Sequence, residues 1–305
     1  MKVFLLINDY LGGAENIFYQ ISSEYKSKEE KVKIFILGKK NTDFWSSMES
    51  QNFHVKYLKN NLIQLLYSLY KLNKVDSIFY TTHVYLTGFL GLLIRMGFVK
   101  KNKFIAREST EIFSRFKGVK LLSYKACYWL GYKSVDLLIC QTSIMKRDLE
   151  QNMPYLNKST NIKVIPNPFT YPSTYNKIDY LKFENILDKN FIVSAGRLIP
   201  EKGFDNLIYA FKKLKKSFPK LKLIILGEGL LRVAIENQIK ELNLQKDILL
   251  PGFVKNVYTF FKKASCCVVS SRREGFPNVL LQMMSQNTNI VSTTCAGDID
   301  MIDGI

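Results

Sequence analysis

Glu274-Gly275-Phe276-Pro277-Asn278-Val279-Leu280-Leu281-Gln282 follows an apolar run of strand character, residues 266–270. It opens on an acid and a glycine, and Pro277 stands where a helix would begin. Proline is favoured at the first helical position, because its missing N–H would have no intrahelical partner there. The stretch therefore reads as strand, tight loop and helix N-terminus, a layout that can receive an anion. Upstream, Gly196-Arg197-Leu198-Ile199-Pro200-Glu201-Lys202-Gly203 follows another strand-like run, residues 191–195, and carries two fixed cations on a glycine-bounded loop. Two such loops on neighbouring strands of one parallel sheet would hold a nucleotide diphosphate.

The same alternation extends in both directions. Before residue 166, strand-like segments at 3–7, 32–37, 54–58, 77–80, 103–106, 137–140 and 163–165 alternate with helix-like segments at 14–25, 62–72, 85–96, 120–131 and 143–151. After residue 190 the pattern restarts, with strands at 191–195, 221–226, 248–250, 266–270 and 290–292 and helices at 204–217, 230–242, 257–263 and 278–285. Alternation of this kind predicts parallel sheets with helices on both faces. The intervening stretch opens with Pro166-Asn167-Pro168 and is rich in Pro, Tyr, Asn, Ser and Thr, which breaks helix and strand alike. The predicted organisation is an α/β domain over 1–168, a linker over 169–189 and a second α/β domain over 190–305.

Bulk properties bound the function. A chain of 305 residues, 47% hydrophobic, can bury two cores of ordinary size. The five cysteines form no CxxC pair, and three of them lie in apolar runs, so they read as reduced core thiols of a cytosolic protein. With only His54 and His83 for imidazole ligands, a metal cluster is not expected. The N-terminal apolar run ends at Asn8 and Asp9 and reads as a first buried strand rather than a signal sequence. Residues 84–98 form the most membrane-like stretch, but it is short and contains Arg95. The net charge of +18 fits a lysine-rich coding bias spread over solvated faces, or an anionic partner such as a membrane surface. Segments 85–101 and 117–133 mix Leu, Phe, Tyr and Trp with Lys and Arg. Such helices either dock on anionic headgroups or bury an ordinary core stripe.

The ordered set Gly196-Arg197-Leu198…Glu201-Lys202-Gly203, Leu226-Gly227-Glu228-Gly229 and Glu274-Gly275-Phe276-Pro277-Asn278-Val279-Leu280-Leu281 resembles glycosyltransferase family 4. The first half adds Gly12-Gly13-Ala14-Glu15 and Val164-Ile165-Pro166-Asn167-Pro168. The resemblance implies the GT-B architecture, two Rossmann-like domains with parallel sheets facing across a cleft. Family members continue beyond the last strand seen here, so it also implies an incomplete second domain. The implied activity is metal-independent, retaining sugar transfer from a nucleotide-diphospho-sugar, with UDP favoured and no cofactor. The acceptor would be a glycan or lipid-linked glycan in surface-polysaccharide assembly, handled in the cytoplasm or on the inner face of the cytoplasmic membrane.

Residue roles follow from the same resemblance. Arg197 and Lys202 would clamp the diphosphate. Without a metal, its developing charge must be met by preset cations and N–H groups. Glu274 would contact the donor sugar, Gly275 and Phe276 would let the backbone approach it, and N–H groups around Asn278, Val279 and Leu280 would face the phosphates. Gly12 and Gly13 would lie over the donor phosphates or the acceptor, and Gly227, Glu228 and Gly229 by the base or ribose. Gln282 stands where the family carries a second Glu that binds the ribose. A neutral acceptor there is expected to weaken donor binding by about tenfold. His83, just after a strand, is a cleft candidate, with Arg107 and Glu108 after the next strand as rivals for that place; His54 reads as a strand-edge residue. The rival readings are a catalytically impaired nucleotide-sugar-binding module and a basic nucleic-acid-binding protein, though no nucleic-acid signature is present.

Overall fold

The computed structural model describes residues 1–10, 12–169, 190–254 and 256–295. The chain divides into two units, Met1–Pro168 and Phe169–Ile305. In the first unit the strands are β1 Lys2–Leu6, β2 Val32–Ile36, β3 Phe53–Tyr57, β4 Ile78–Thr81, β5 Lys103–Arg107, β6 Leu137–Cys140 and β7 Asn161–Val164. Their helices are α1 Gly13–Ser27, α2 Leu62–Lys71, α3 Val84–Arg95, the single turn α4 Ile112–Arg115, α5 Gly118–Gly131, α6 Ser143–Asn152 and the single turn α7 Leu156–Ser159. All pairings are parallel, in the order β3-β2-β1-β4-β5-β6-β7. The inner strands are nearly continuous in apolar residues because helices cover both faces. Leu65 and Leu69 of α2, Leu86 and Leu90 of α3, and Tyr128 of α5 share one core. Phe18 of α1, Trp45 and Met48 fill the other.

Local chemistry sets several helix ends. The Asn61 side chain accepts from the Gln64 N–H at 2.9 Å and caps α2, and Thr142 accepts from the Met145 N–H at 3.1 Å and caps α6. Helices α3 and α5 meet through glycine: a Cβ at Gly88 would strike Cys127, and one at Gly91 would strike the backbone of Gly131. Ser134 Oγ donates to the Gly91 carbonyl and Arg95 to the Leu130 carbonyl, fastening the same seam.

The second unit contains β8 Phe191–Ala195, α8 Phe204–Leu214, β9 Lys222–Leu226, α9 Arg232–Glu241, β10 Ile248–Gly252, α10 Tyr258–Lys263, β11 Cys266–Val269, α11 Asn278–Met284 and β12 Ile290–Ser292. Its sheet is parallel, ordered β10-β9-β8-β11-β12. The predicted strands and helices recur with ends shifted by a few residues. The largest difference is at α8, which stops at Leu214. All but the first residue of the expected linker, and the tail beyond Cys295, lie outside the described residues.

Each sheet reverses its strand order once, between β1 and β4 in the first unit and between β8 and β11 in the second. In open α/β sheets the carboxyl ends of the strands flanking such a reversal form the ligand crevice. The Gly12 loop and His83 follow β1 and β4, and the Gly196–Gly203 and Ser270–Pro277 loops follow β8 and β11. The loops singled out from the sequence therefore stand at the two reversal points.

Candidate functional site

In the second unit the loops after β8 and β11 are joined by an ion pair. Lys202 Nζ donates to Glu274 Oε1 at 2.5 Å, and Ser271 Oγ donates to the same oxygen at 2.6 Å. Both side chains are mostly shielded, 16% and 13% exposed. Further contacts hold the loops in place: Ser270 Oγ donates to the Lys202 carbonyl, the Arg272 N–H to the Glu201 carbonyl and the Glu274 N–H to the Cys295 carbonyl. Gly203 is left-handed at φ +62°, and a Cβ there would run into the Ser270 carbonyl, so the approach of the two loops requires glycine. Lys202 lies along Gly196, its Cε 3.2 Å from where a Cβ would stand, closer than an ordinary contact. Arg197 is exposed, and its guanidinium has no ion-pair partner among the described residues.

The Gly227 turn abuts the Gly196 loop. The Leu198 N–H donates to the Glu228 carbonyl and the Leu231 N–H to the Leu198 carbonyl, both at 2.9 Å. Gly227, at φ +137°, leaves no room for a Cβ beside the Gly196 carbonyl. The Glu228 carboxylate is half exposed and paired with Arg232 at 2.9 Å, so Arg232 holds it over its own helix.

The start of α11 differs from the expected row of free donors. The Asn278 N–H bonds the Phe276 carbonyl and the Leu280 N–H bonds the Pro277 carbonyl, because the tight turn after Gly275 satisfies them locally. Phe276 and Val279 pack against the unit's core, and Leu280 is part of it. Gln282 lies on α11 beside the Tyr258 hydroxyl.

The first unit has a matching pair at its own reversal point. His83 Nε2 and Glu15 Oε1 are 2.9 Å apart, with Glu15 buried and the imidazole partly exposed. Gly12 lets the Glu15 carboxylate fold back against the loop, since a Cβ at Gly12 would stand 2.6 Å from Glu15 Oε2. Gly13 begins α1. Behind this pair lies a buried polar group that the sequence reading only touched. Burial lowers Arg107 to about 10, against the pull of the Glu108 and Glu15 carboxylates. Its guanidinium donates to Asn167 of the Pro166-Asn167-Pro168 segment. The Gln141 amide donates to the Glu108 carbonyl at 2.8 Å. Glu108 is fully enclosed, and burial pushes it up to about 7 despite the hydroxyls of Tyr128 and Tyr132 and the charge of Arg107. Glu15, Ser271, Gln141 and Asn167 were not singled out as site residues. Glu15 was legible in principle, lying in the first turn after the Gly12-Gly13 loop.

Comparison with known proteins gives this geometry a family. The family model described as Glycosyl transferases group 1 matches residues 177–303. A Campylobacter jejuni protein is 32% identical over 261 residues, covering 81% of this chain and 66% of its own length. It is named N-acetylgalactosamine-N,N'-diacetylbacillosaminyl-diphospho-undecaprenol 4-alpha-N-acetylgalactosaminyltransferase. The chain belongs to the glycosyl transferases group 1 family. An uncharacterized glycosyltransferase of Methanocaldococcus jannaschii is 34% identical over 184 residues, covering 59% of this chain and 44% of its own length. The chain thus spans between about half and two thirds of the length of these curated relatives. Among solved structures, HepE of Anabaena in complex with UDP-glucose superposes with a TM-score of 0.77 at 19% identity, covering 99% of this chain and 82% of that one. WaaG, a glycosyltransferase involved in lipopolysaccharide biosynthesis, gives 0.71 at 14% identity, covering 100% and 84%. The fold is therefore GT-B, with a smaller second unit.

Proposed function

We propose that this group 1 glycosyltransferase moves a hexose or N-acetylhexosamine from a UDP-sugar to a lipid-linked glycan, retains the anomeric configuration and needs no metal. The observation that carries the reading is the Lys202–Glu274 pair at the reversal point of the second sheet, beside two glycine-shaped loops. Lys202 and exposed Arg197 supply the positive charge for a diphosphate. Glu274 supplies an acceptor for a sugar hydroxyl and a negative charge beside the anomeric carbon. Donor binding exchanges the Lys202–Glu274 contact for Lys202–phosphate and Glu274–sugar contacts, while Ser271 keeps the carboxylate in place. In the transfer step the bond between C1 and the phosphate oxygen breaks, C1 bonds the incoming hydroxyl oxygen on the same face, and the hydroxyl proton passes to the departing diphosphate. That leaving group gains charge as the bond breaks, so preset cations act where stabilisation is largest.

The first unit serves the acceptor in this reading, with Glu15 orienting the His83 imidazole at the crevice. Two findings on relatives support it: HepE was crystallised with UDP-glucose, and the Campylobacter relative is named for a diphospho-undecaprenol acceptor. The decisive experiment measures binding and turnover of UDP-, GDP- and ADP-sugars with an undecaprenyl-diphosphate-linked glycan as acceptor, with and without chelator. Turnover of a UDP-sugar unaffected by chelator supports the reading. UDP-sugar binding without turnover would favour the alternative of a binding module, and turnover that requires magnesium or manganese would overturn metal independence.

A further inference from the structure

The connections from β3 to β4, β4 to β5 and β5 to β6 all progress in one direction across the first sheet. Right-handed crossovers then place α2, α3 and α5 on one face, and their shared core agrees. The layer is continuous: the Asn73 amide donates to the Phe98 carbonyl and the Lys100 N–H to the Asn73 side chain, tying the end of α2 to the end of α3. Helix α3 packs in turn on α5 through the glycine seam.

The outer side of this layer carries large apolar side chains. Val119, Leu122 and Trp129 of α5 are 84%, 67% and 60% exposed, and Ile63 of α2 is 79% exposed. The three α5 residues, with Ala126, fall at helical spacing on one stripe. An ordinary surface helix turns such a stripe inward. Helix α5 turns it outward, because its inner face is made by Gly131, Cys127 and Tyr128.

The segment that carries the stripe is strongly basic. From Ser50 to Val135 the only acids are Asp76, Glu108 and Glu111, against fourteen lysines and arginines. Glu108 is buried and Asp76 is bonded to Asn102 before β4. Lys117 stands at the start of α5, Lys120 and Lys125 lie on it, and residues 112–135 contain no acid. A second copy of this face would set like charges against one another. A nucleic acid would engage the lysines but leave Val119, Leu122 and Ile63 in water. A bilayer with anionic headgroups satisfies both components.

We propose that the outer face of the α2–α3–α5 layer docks on an anionic lipid bilayer. Val119, Leu122 and Trp129 enter the headgroup boundary, and the lysines on and at the start of α5 meet the lipid phosphates. This deepens the lipid-linked acceptor reading by naming the surface that brings the enzyme to its acceptor, and it is tested without any sugar.

The chain has two tryptophans, and Trp45 is fully buried, so Trp129 reports on the face directly. The full chain is titrated with phosphatidylcholine vesicles with and without phosphatidylglycerol, following Trp emission, quenching by brominated lipid and co-sedimentation. The expected result is a blue shift, quenching and pelleting with anionic vesicles that weaken as salt rises. Val119→Asp and Leu122→Glu, at solvent-facing positions, should each lower the partition about tenfold or more with unchanged melting. Lys117→Gln with Lys120→Gln and Lys125→Gln should remove the preference for anionic lipid. Equal binding to both vesicles, no binding, or binding indifferent to these changes overturns the proposal. So does a dimer in gel filtration that the same variants dissociate. Vesicle binding without transfer would count only against the transferase reading, and transfer without vesicle binding only against this one.

Discussion

At the scale of single residues, Lys202 and Glu274 come from loops that are distant in sequence and meet because β8 and β11 are neighbours. If they hold diphosphate and sugar, Arg197→Ala and Lys202→Ala should each lower turnover by roughly 10²–10³ in a folded protein, the scale of other preorganised charge stabilisers. Steady-state rates beside melting curves check this, and unchanged turnover would remove the residue from the clamp. Gln282 allows a finer test. It lies beside the Tyr258 hydroxyl, which can donate to a carboxylate. Gln282→Glu should therefore be tolerated and should tighten nucleotide-sugar binding by about tenfold, the difference between a neutral and a charged acceptor. Calorimetry on the two forms decides, and equal affinities would mean that position 282 does not face the ribose. The motifs that hold Lys202, Glu274 and Gln282 were legible because each is a contiguous stretch, a loop or a loop running into a helix, with its own turn chemistry. The pairings were not, since Glu15–His83 and Lys202–Glu274 depend on strand order, which local sequence does not encode.

Elements were legible to the extent that hydropathy marks them. Strands such as β1, β8 and β9 are short apolar runs bounded by polar turns and were placed within a residue of their ends. Helix α5 shows what hydropathy misses. Its mix of Leu, Tyr and Trp with Lys left a headgroup-docking face and a core stripe both open. In the fold Leu121, Tyr124 and Tyr128 face the core, Val119, Leu122 and Trp129 face outward, and the close approach to α3 is made at Gly131, which carries no hydropathy signal. Gly131→Ala would push a Cβ into the Gly88 backbone, and overpacking of this kind should cost about 1–3 kcal/mol. Gly203→Ala combines a left-handed φ of +62° with a collision against the Ser270 carbonyl. Strained backbone at such a position costs on the order of 1–3 kcal/mol. Denaturant unfolding of both variants tests these values. Gly203→Ala should also weaken nucleotide-sugar binding, since it pushes apart the loops that carry Lys202 and Glu274, whereas Gly131→Ala should leave donor affinity alone.

Over the whole molecule, two units with separate cores give no reason to expect a single cooperative transition. Their pH dependence should tell them apart. In the first unit burial raises Glu108 from 4.5 to about 7. Between these values the unfolded chain has released the Glu108 proton and the folded chain still holds it. The folded state then binds more protons, so stability falls as pH rises through this window and levels off above it. Asp9 works the other way: burial raises it, but the N–H groups of Asn41 and Thr42 outweigh that and lower it below 3.8. The stability it contributes is present above that value and is lost only at more acidic pH, outside the Glu108 window. The unfolding transition of the first unit should therefore be more stable near pH 5 than near pH 8, by up to about 3 kcal/mol. Glu108→Gln cannot ionise and should flatten this slope, leaving the transition of the second unit unmoved. Calorimetric scans of both forms across that range assign each transition to its unit. If the slope survives in Glu108→Gln, the carboxyl is charged inside the fold, and the Arg107–Glu108 group is an ion pair rather than a cation beside a neutral acid.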